Sequence, residues 1–426
     1  MSTVIDIFQK RKTINRGIIS IIDQGIVSST NFLTGILIGR TCTKDEFGLY
    51  ILGMTIVTFM IGFQSSLITS PYMIYVAKQD KNGKESFTGN TFIHQLVLSI
   101  TTVIMLMSVW FFIRSAHAEF GKVISALAGA ISFILIREYI RLVSLSRLHA
   151  YSVLLLDILV SCIQIIGILL LAHYGILSAS RIFWVVGFSC GISGICLIIW
   201  RHEWFILKLQ EVVKQFVRNL GVGRWFLASL LVNTLSKELY AWMLTFFQNT
   251  ATTGTFGAST GIVNISHPLV IGITNFLGPL FAHAYANNGW NKLSKLIRKS
   301  TLLVLLVMGI FCGALFLCGE ELVVFVYGTK YSGNGLLVST LALATLTSVL
   351  TTPIGIGLWT IERPDINFKA CLGSLAVTMI LGVLLVKYLG LIGVGLSLLI
   401  GNICESLIKY YSFRKIGELH TVDAGI

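Results

Sequence analysis

Residues 14–50 read INRGIISIIDQGIVSSTNFLTGILIGRTCTKDEFGLY. The stretch 14–39 is apolar enough and long enough to cross a hydrocarbon core of about 30 Å, which takes about 20 helical residues. Apart from Arg16 and Asp23 within it, the charges gather just beyond its end, in Arg40, Lys44, Asp45 and Glu46, and a second apolar run then begins at Phe47. A helix, a short charged turn and another helix make the repeating unit of a polytopic membrane protein. Lys10, Arg11 and Lys12 precede the first run, which contains Asp23 and is too long for a signal-peptide core, so we expect it to be retained as the first helix.

The pattern continues along all 426 residues. Twelve segments read as membrane helices: 14–39, 47–72, 88–113, 121–145, 150–173, 180–200, 223–247, 254–283, 299–318, 335–360, 367–387 and 391–413. Composition agrees, with 55% hydrophobic and 12% charged residues; soluble domains carry about 25% charged residues. The net charge of +13 does not indicate nucleic acid, because the basic residues lie in short runs between apolar segments. With the N-terminus inside, the inside segments hold 24 of the 32 Lys and Arg, the outside loops hold 7, and Lys237 lies mid-helix. That bias places both termini in the cytoplasm. The expected fold class is therefore an all-α polytopic membrane protein of about twelve helices. The eight cysteines show no CxxC spacing and read as packing residues.

Two six-helix lobes are expected, 1–200 and 223–426, joined by a cytoplasmic amphipathic connector at 201–222. In that connector Phe205, Leu209, Val212, Val213, Phe216 and Leu220 are assigned to one side, and Lys208, Glu211, Lys214 and Arg218 to the other. The halves echo each other. Phe47-Gly48 matches Phe256-Gly257, Ser70-Pro71 matches Gly278-Pro279, and Asn82-Gly83 matches Asn288-Gly289, each at a corresponding place in its half. Parallel repeats of this kind are related by an axis along the membrane normal.

The stretch Gly25–Tyr50, with Gly39-Arg40 closing a polar-laced first helix and Asp45-Glu46-Phe47-Gly48-Leu49-Tyr50 following, resembles the opening of the bacterial polysaccharide transporters. These are the Wzx-type O-antigen flippases of the multidrug/oligosaccharidyl-lipid/polysaccharide (MOP) exporter superfamily, related to the multidrug exporters known as MATE transporters. The resemblance implies a two-lobe, inner-membrane flippase that moves an undecaprenyl-diphosphate-linked oligosaccharide across the bilayer. It also implies a cationic central cavity and coupling to a proton or sodium gradient, with no other cofactor. Expected partners are the lipid-linked oligosaccharide, the bilayer and polysaccharide polymerase or assembly proteins; the fold is self-contained as a monomer. The alternative reading is a cation-coupled small-molecule exporter of the MATE type. A membrane enzyme is the third, but the sequence shows no GxxxxGK[ST], HExxH or GxSxG motif and no long outside loop rich in ionisable groups.

Ionisable groups at mid-membrane cost at least about 2.5–3.5 kcal/mol on insertion scales, so each needs a partner or a wet cavity. On the first helix Arg16, Ser20, Asp23, Thr30, Asn31 and Thr34 form a polar stripe, which either lines a cavity or seals against another helix. Asp23 is the leading candidate for ion coupling, and its other reading is a structural partner for a nearby cation. On the seventh helix Asn233, Ser236, Lys237 and Tyr240 share a face. Lys237 is a candidate ligand for a diphosphate, or else a salt-bridge partner of Asp23 or Asp157; Glu238 is a second coupling candidate. Arg137 and Arg141 either attract a headgroup at the cytoplasmic entrance or snorkel to lipid phosphates. Asp157, Ser161 and Gln164 line a cavity or hold helices together, with Asp157 a third coupling candidate. A local ion pair is expected for Arg40, and hydrogen-bonded packing roles for His94 and His267. Pro71, Pro268 and Pro279 should kink or end helices.

Overall fold

The computed structural model describes the backbone of residues 2–423 except residue 77, and the side chains of 19–418 except 77, 81, 82 and 275. The described chain is helical throughout, without strands. Helices α1 (Ser2–Thr41), α2 (Lys44–Gln64), α3 (Ser70–Val76), α4 (Lys81–Ile113), α5 (Ala118–Ser146), α6 (Ala150–His173) and α7 (Ala179–Trp200) make the first six passes. Helices α8 (Leu209–Phe247), α9 (Thr250–Val263), α10 (His267–Tyr327), α11 (Gly335–Leu350), α12 (Thr352–Thr360), α13 (Pro364–Val377) and α14 (Val383–Asp423) make the rest.

Among the described residues nine stretches are long and apolar enough to cross a membrane. Two of them, 78 and 55 residues long, exceed a single pass. The 61 residues of α10 alone would extend about 90 Å at 1.5 Å per residue, three times the hydrocarbon core. The chain turns instead at Gly289 (φ 64°, ψ −160°) and, within α14, at Gly390 (φ 57°, ψ −126°). Left-handed backbone of this kind is cheap for glycine. Counting these two stretches as double passes, and adding α8, whose C-terminal third carries Lys237 and Glu238, gives the twelve expected passes.

The remaining breaks follow from proline. Pro71 has no N–H to give the carbonyl one turn back. The chain there widens into a π turn, Ser65–Thr69, closed by Ser70 N–H donating to Ser65 O. Pro268 opens α10 directly after the 3₁₀ turn Asn264–Ser266, whereas Pro279 lies within the helix.

Two compact units emerge, one comprising 1–42 and 49–230, the other 43–48 and 231–426. The expected boundary differs. Residues 201–230 belong with the first unit, and the connector is continuous with the seventh pass in α8 rather than a separate helix. Its faces also depart from the expected split. Leu209 and Val213 are 73% and 72% exposed, while Gln215 and Asn219 are buried. Exposed Leu209 and Val213 suit the apolar face of a helix lying at a bilayer interface, and the carboxamides turn toward protein.

Within the first unit, Tyr72, Phe87, Tyr139, Val143 and Trp204 build a core where α3, α4 and α5 meet the 3₁₀ turn His202–Trp204. Tyr72 and Phe87 stack with ring centroids 5.6 Å apart. In the second unit Phe281, Leu293, Ile297 and Leu358 do the same for α10 and α12.

The turn after the fourth pass supports the repeat. In the first unit Leu148 adopts φ 60°, with Leu148 N–H donating to Leu145 O and His149 N–H to Ser144 O. In the second Glu362 adopts φ 60°, with Glu362 N–H donating to Trp359 O and Arg363 N–H to Leu358 O. The same capping bonds, on a non-glycine residue in a strained conformation, recur at the same place. Gly175 and Gly390, both at positive φ, likewise follow the fifth pass of each half.

Candidate functional site

In the first unit α5 presents Arg137, Glu138 and Arg141, α6 presents Asp157, and α1 presents Asp23. Arg141 joins the three helices: its Nε donates to Asp157 Oδ2 at 2.7 Å and its Nη2 to Asp23 Oδ2 at 2.8 Å. Arg137 donates to Asp157 Oδ1 through Nη2 and to Glu138 Oε2 at 2.9 Å through Nη1. The Asp157 side chain is 0% exposed and that of Asp23 is 5%. Arg137 and Arg141 therefore turn inward onto carboxylates. Two guanidiniums meet three carboxylates here, and Asp23 Oδ1 has no hydrogen bond.

The polar stripe of α1 divides. Thr34 accepts from Gln164 Nε2 at 3.0 Å and Asp23 is held by Arg141, so this part seals α1 against α6 and α5. Ser20 and Asn31 are exposed. Arg16 lies outside the residues whose side chains are described. Asp157 and Gln164 thus act in helix contacts.

A second polar region of this unit was not singled out from sequence. Gln64, Asn90, Gln95, Gln215 and Asn219 are buried on α2, α4 and α8. Gln64 Nε2 donates to Leu135 O at 2.9 Å, and Asn90 Oδ1 accepts from Lys208 N–H at 2.9 Å. Both side-chain polar atoms of Asn219 lack a hydrogen bond. His94 closes this seam with its Nε2 3.0 Å from Val212 O.

In the second unit the seventh-pass residues separate. Tyr240 is fully buried, its hydroxyl 2.7 Å from Ser397 Oγ and 3.1 Å from Thr378 Oγ1, and it faces protein on all sides. Asn233 and Lys237 are exposed. Asn233 Oδ1 accepts from Cys371 Sγ at 3.6 Å, and Cys371 Sγ lies 4.0 Å from Glu405 Oε1. Glu405 is paired with Lys409 on α14. Lys237 is close enough for its charge to act on His267, Cys371 and Glu238. It has no ion-pair partner among the described residues. His267 is exposed rather than packed. Glu405 and Lys409 were missed because a basic residue near the inside end of a helix reads as topology. The available signal was an i,i+4 ion pair inside the apolar run 391–413.

The Asp-Glu-Phe-Gly turn serves packing. In the second unit the first turn of α2 crosses the start of α9 backbone to backbone. A Cβ on Gly48 would lie 1.9 Å from Thr250 O, and one on Gly254 would lie 2.1 Å from Lys44 O. Phe47 is buried against Tyr327 and Tyr331 at centroid distances of 5.9 and 6.4 Å. Lys44 sits 5.5 Å from the Tyr331 ring centroid, and Asp45 accepts from the Thr250 hydroxyl.

No protein-family model and no curated protein sequence matches the chain. Solved structures do. One is a multidrug resistance MATE family transporter of the MOP superfamily in an inward-facing conformation (TM-score 0.79, 16% identity, 93% of this chain and 96% of that one). Another is the lipid II flippase MurJ in an inward closed conformation (TM-score 0.71, 15% identity, 94% and 87%). A third is a MOP superfamily transporter from Pyrococcus furiosus, described as having a binding pocket of reverse polarity (TM-score 0.66, 16% identity, 95% of each chain). At these identities the likeness establishes the fold. The chain is a multi-pass, all-helical membrane protein with the architecture of MOP-superfamily transporters.

Proposed function

We propose that this chain is a transporter of the inner membrane that carries an undecaprenyl-diphosphate-linked oligosaccharide from the inner to the outer leaflet. The observation that carries the reading is Lys237, an exposed ammonium within a membrane pass with no carboxylate ion-paired to it among the described residues. Such a group at bilayer depth is stable beside water or an anion, and a diphosphate is an anion that a lysine point charge suits. Asn233 and the Glu405–Lys409 pair on neighbouring helices offer hydrogen-bonding groups for a sugar. The fold shared with a lipid II flippase is compatible with a lipid-linked cargo.

The excess carboxylate of the first unit supports ion coupling. Among the described residues two arginines stand against Asp23, Glu138 and Asp157, an excess of one negative charge. A proton or a sodium ion would balance it, and Asp23, with one oxygen unpaired, is the entry point.

Lys237→Ala is expected to reduce surface polysaccharide at least tenfold in a deletion strain complemented with the variant, with lipid-linked precursor accumulating on the cytoplasmic side. Membrane abundance should be unchanged, because nothing in the fold depends on the side chain. Lys237→Arg should restore a substantial part. Full export by Lys237→Ala would remove the residue from the site. Glu238, half-buried and without an ion pair, favours the alternative of a cation exporter. That reading would instead be supported by altered susceptibility to organic cations together with normal polysaccharide in the deletion strain.

A further inference from the structure

We propose that the ends of α5, α6 and α7 in the first unit form a binding site for the phosphate of an anionic phospholipid, built on Arg147 and Arg201. The two guanidiniums share one aromatic surface. The guanidinium carbon of Arg147 lies 4.8 Å from the Trp204 ring centroid and that of Arg201 lies 5.1 Å from it. They are therefore separated by no more than about 10 Å, roughly one Debye length at 0.1 M salt, and repel each other. His149 packs on the same indole at a centroid distance of 5.0 Å.

Neither arginine has a carboxylate partner among the described residues, although Glu203 lies in the same turn. Arg147 Nη2 donates to Thr88 Oγ1 at 2.8 Å and to Lys84 O at 3.2 Å. Arg201 Nη2 donates to Ser152 Oγ at 3.3 Å. These neutral acceptors fix the positions of the two side chains without cancelling their charge. The Nε–H groups of both are buried and unpaired. Those enclosed Nε–H groups lie out of a lipid's reach, and a phosphate would engage the terminal Nη groups of these half-buried side chains.

The repeat sharpens the contrast. At the equivalent turn of the second unit, Arg363 is neutralised by Asp365 through Nε at 2.9 Å and Nη2 at 3.2 Å. On the alignment of these turns Arg363 corresponds to His149 and Asp365 to Tyr151, so the first unit has no acid at this place to neutralise the neighbouring Arg147. The rim decides which anion. Leu148 and Tyr151 are 62% and 70% exposed, and Ile199 and Leu207 are 68% and 56% exposed. Apolar side chains beside a cationic pocket at the basic face of a bilayer suit acyl chains below a headgroup. A free phosphate would have no use for them. The site is separate from the cargo reading and stands if that reading fails.

Native mass spectrometry of the detergent-solubilised protein tests this with phosphatidylglycerol, cardiolipin, phosphatidylcholine and inorganic phosphate as probes. The wild type should retain phosphatidylglycerol and cardiolipin over phosphatidylcholine. Arg147→Gln/Arg201→Gln should bind them about tenfold more weakly or less, the scale expected for lost charge-assisted bonds. Lys122→Gln, at an exposed residue near the start of α5, should bind normally. Equal binding by the double variant would overturn the proposal. So would displacement of the lipid by millimolar inorganic phosphate, or, with undecaprenyl diphosphate added as a fifth probe, retention of that lipid alone, which would make this a cargo site. If the double variant fails to fold, photoactivatable phosphatidylglycerol on the unaltered protein decides. Cross-links at 147–151 and 199–207 support the site; cross-links only elsewhere refute it.

Discussion

Arg141→Met should destabilise the first unit by about 3–5 kcal/mol, the range for removing one partner of a buried ion pair. Among the described residues the guanidinium is the one cation bonded to Asp23 and one of two bonded to Asp157. Without it, three carboxylates remain around Arg137 in a space where Asp157 is fully buried. The loss should appear as an earlier thermal transition of the purified protein in detergent and as reduced membrane abundance. Asp23→Asn is the contrasting variant. It leaves two carboxylates against two arginines, so its cost in stability should be under about 1 kcal/mol, the range for a hydrogen bond retained in neutral form. Transport, however, should become insensitive to the ion gradient. A stable Arg141→Met protein would mean that the network is wet enough to tolerate the bare carboxylates, and that Arg141 does not hold α1 to α5 and α6.

Gly254→Val should be comparably severe through sterics alone. The first Cβ would sit 2.1 Å from the carbonyl oxygen of Lys44, and that obstacle is backbone, with no side chain to rotate away. The first turn of α2 and α9 would have to separate, exposing Phe47 and breaking the Asp45–Thr250 bond. We expect a loss of about 3 kcal/mol, the upper end for overpacking, and transport at background. Gly48→Ala should behave alike. Gly272→Ala, with open space around the added carbon, is the control and should be silent. Normal activity of Gly254→Val, assayed as surface polysaccharide in the complemented strain, would show that the close crossing is dispensable.

The sequence reading and the structure meet where the physics is local. Hydropathy, helix length and the alternation of basic segments are properties of each stretch by itself. They placed twelve passes, including those hidden in α10 and α14, where Gly289 and Gly390 make the turn. The ionisable residues of α1, α5 and α6 were also visible, because a charge in an apolar run demands an explanation. Their pairing was not. Whether Arg141 reaches a lipid phosphate or Asp157 depends on how α5 rotates against α6, and periodicity carries no such information. Tyr240 shows the same limit: it was set on one face with Asn233 and Lys237, but Ser397 and Thr378, far along the chain, bury it while those two stay exposed. In the connector, periodicity set Leu209 and Val213 on an apolar face but carried no sign that Gln215 and Asn219 would be the buried residues. The Phe47-Gly48 pair was seen as a motif, but its cause, a backbone crossing at Gly254, lies some two hundred residues away.

Reconstitution tests the central claim most directly. Purified protein in proteoliposomes is given a fluorescent undecaprenyl-diphosphate oligosaccharide in one leaflet, and its appearance in the other is followed with an impermeant quencher under an imposed proton or sodium gradient. Gradient-dependent movement is predicted for the wild type, abolished in Lys237→Ala and uncoupled from the gradient in Asp23→Asn. A wild-type protein that leaves the lipid-linked sugar where it was placed, while carrying an organic cation across the same bilayer, would contradict the account.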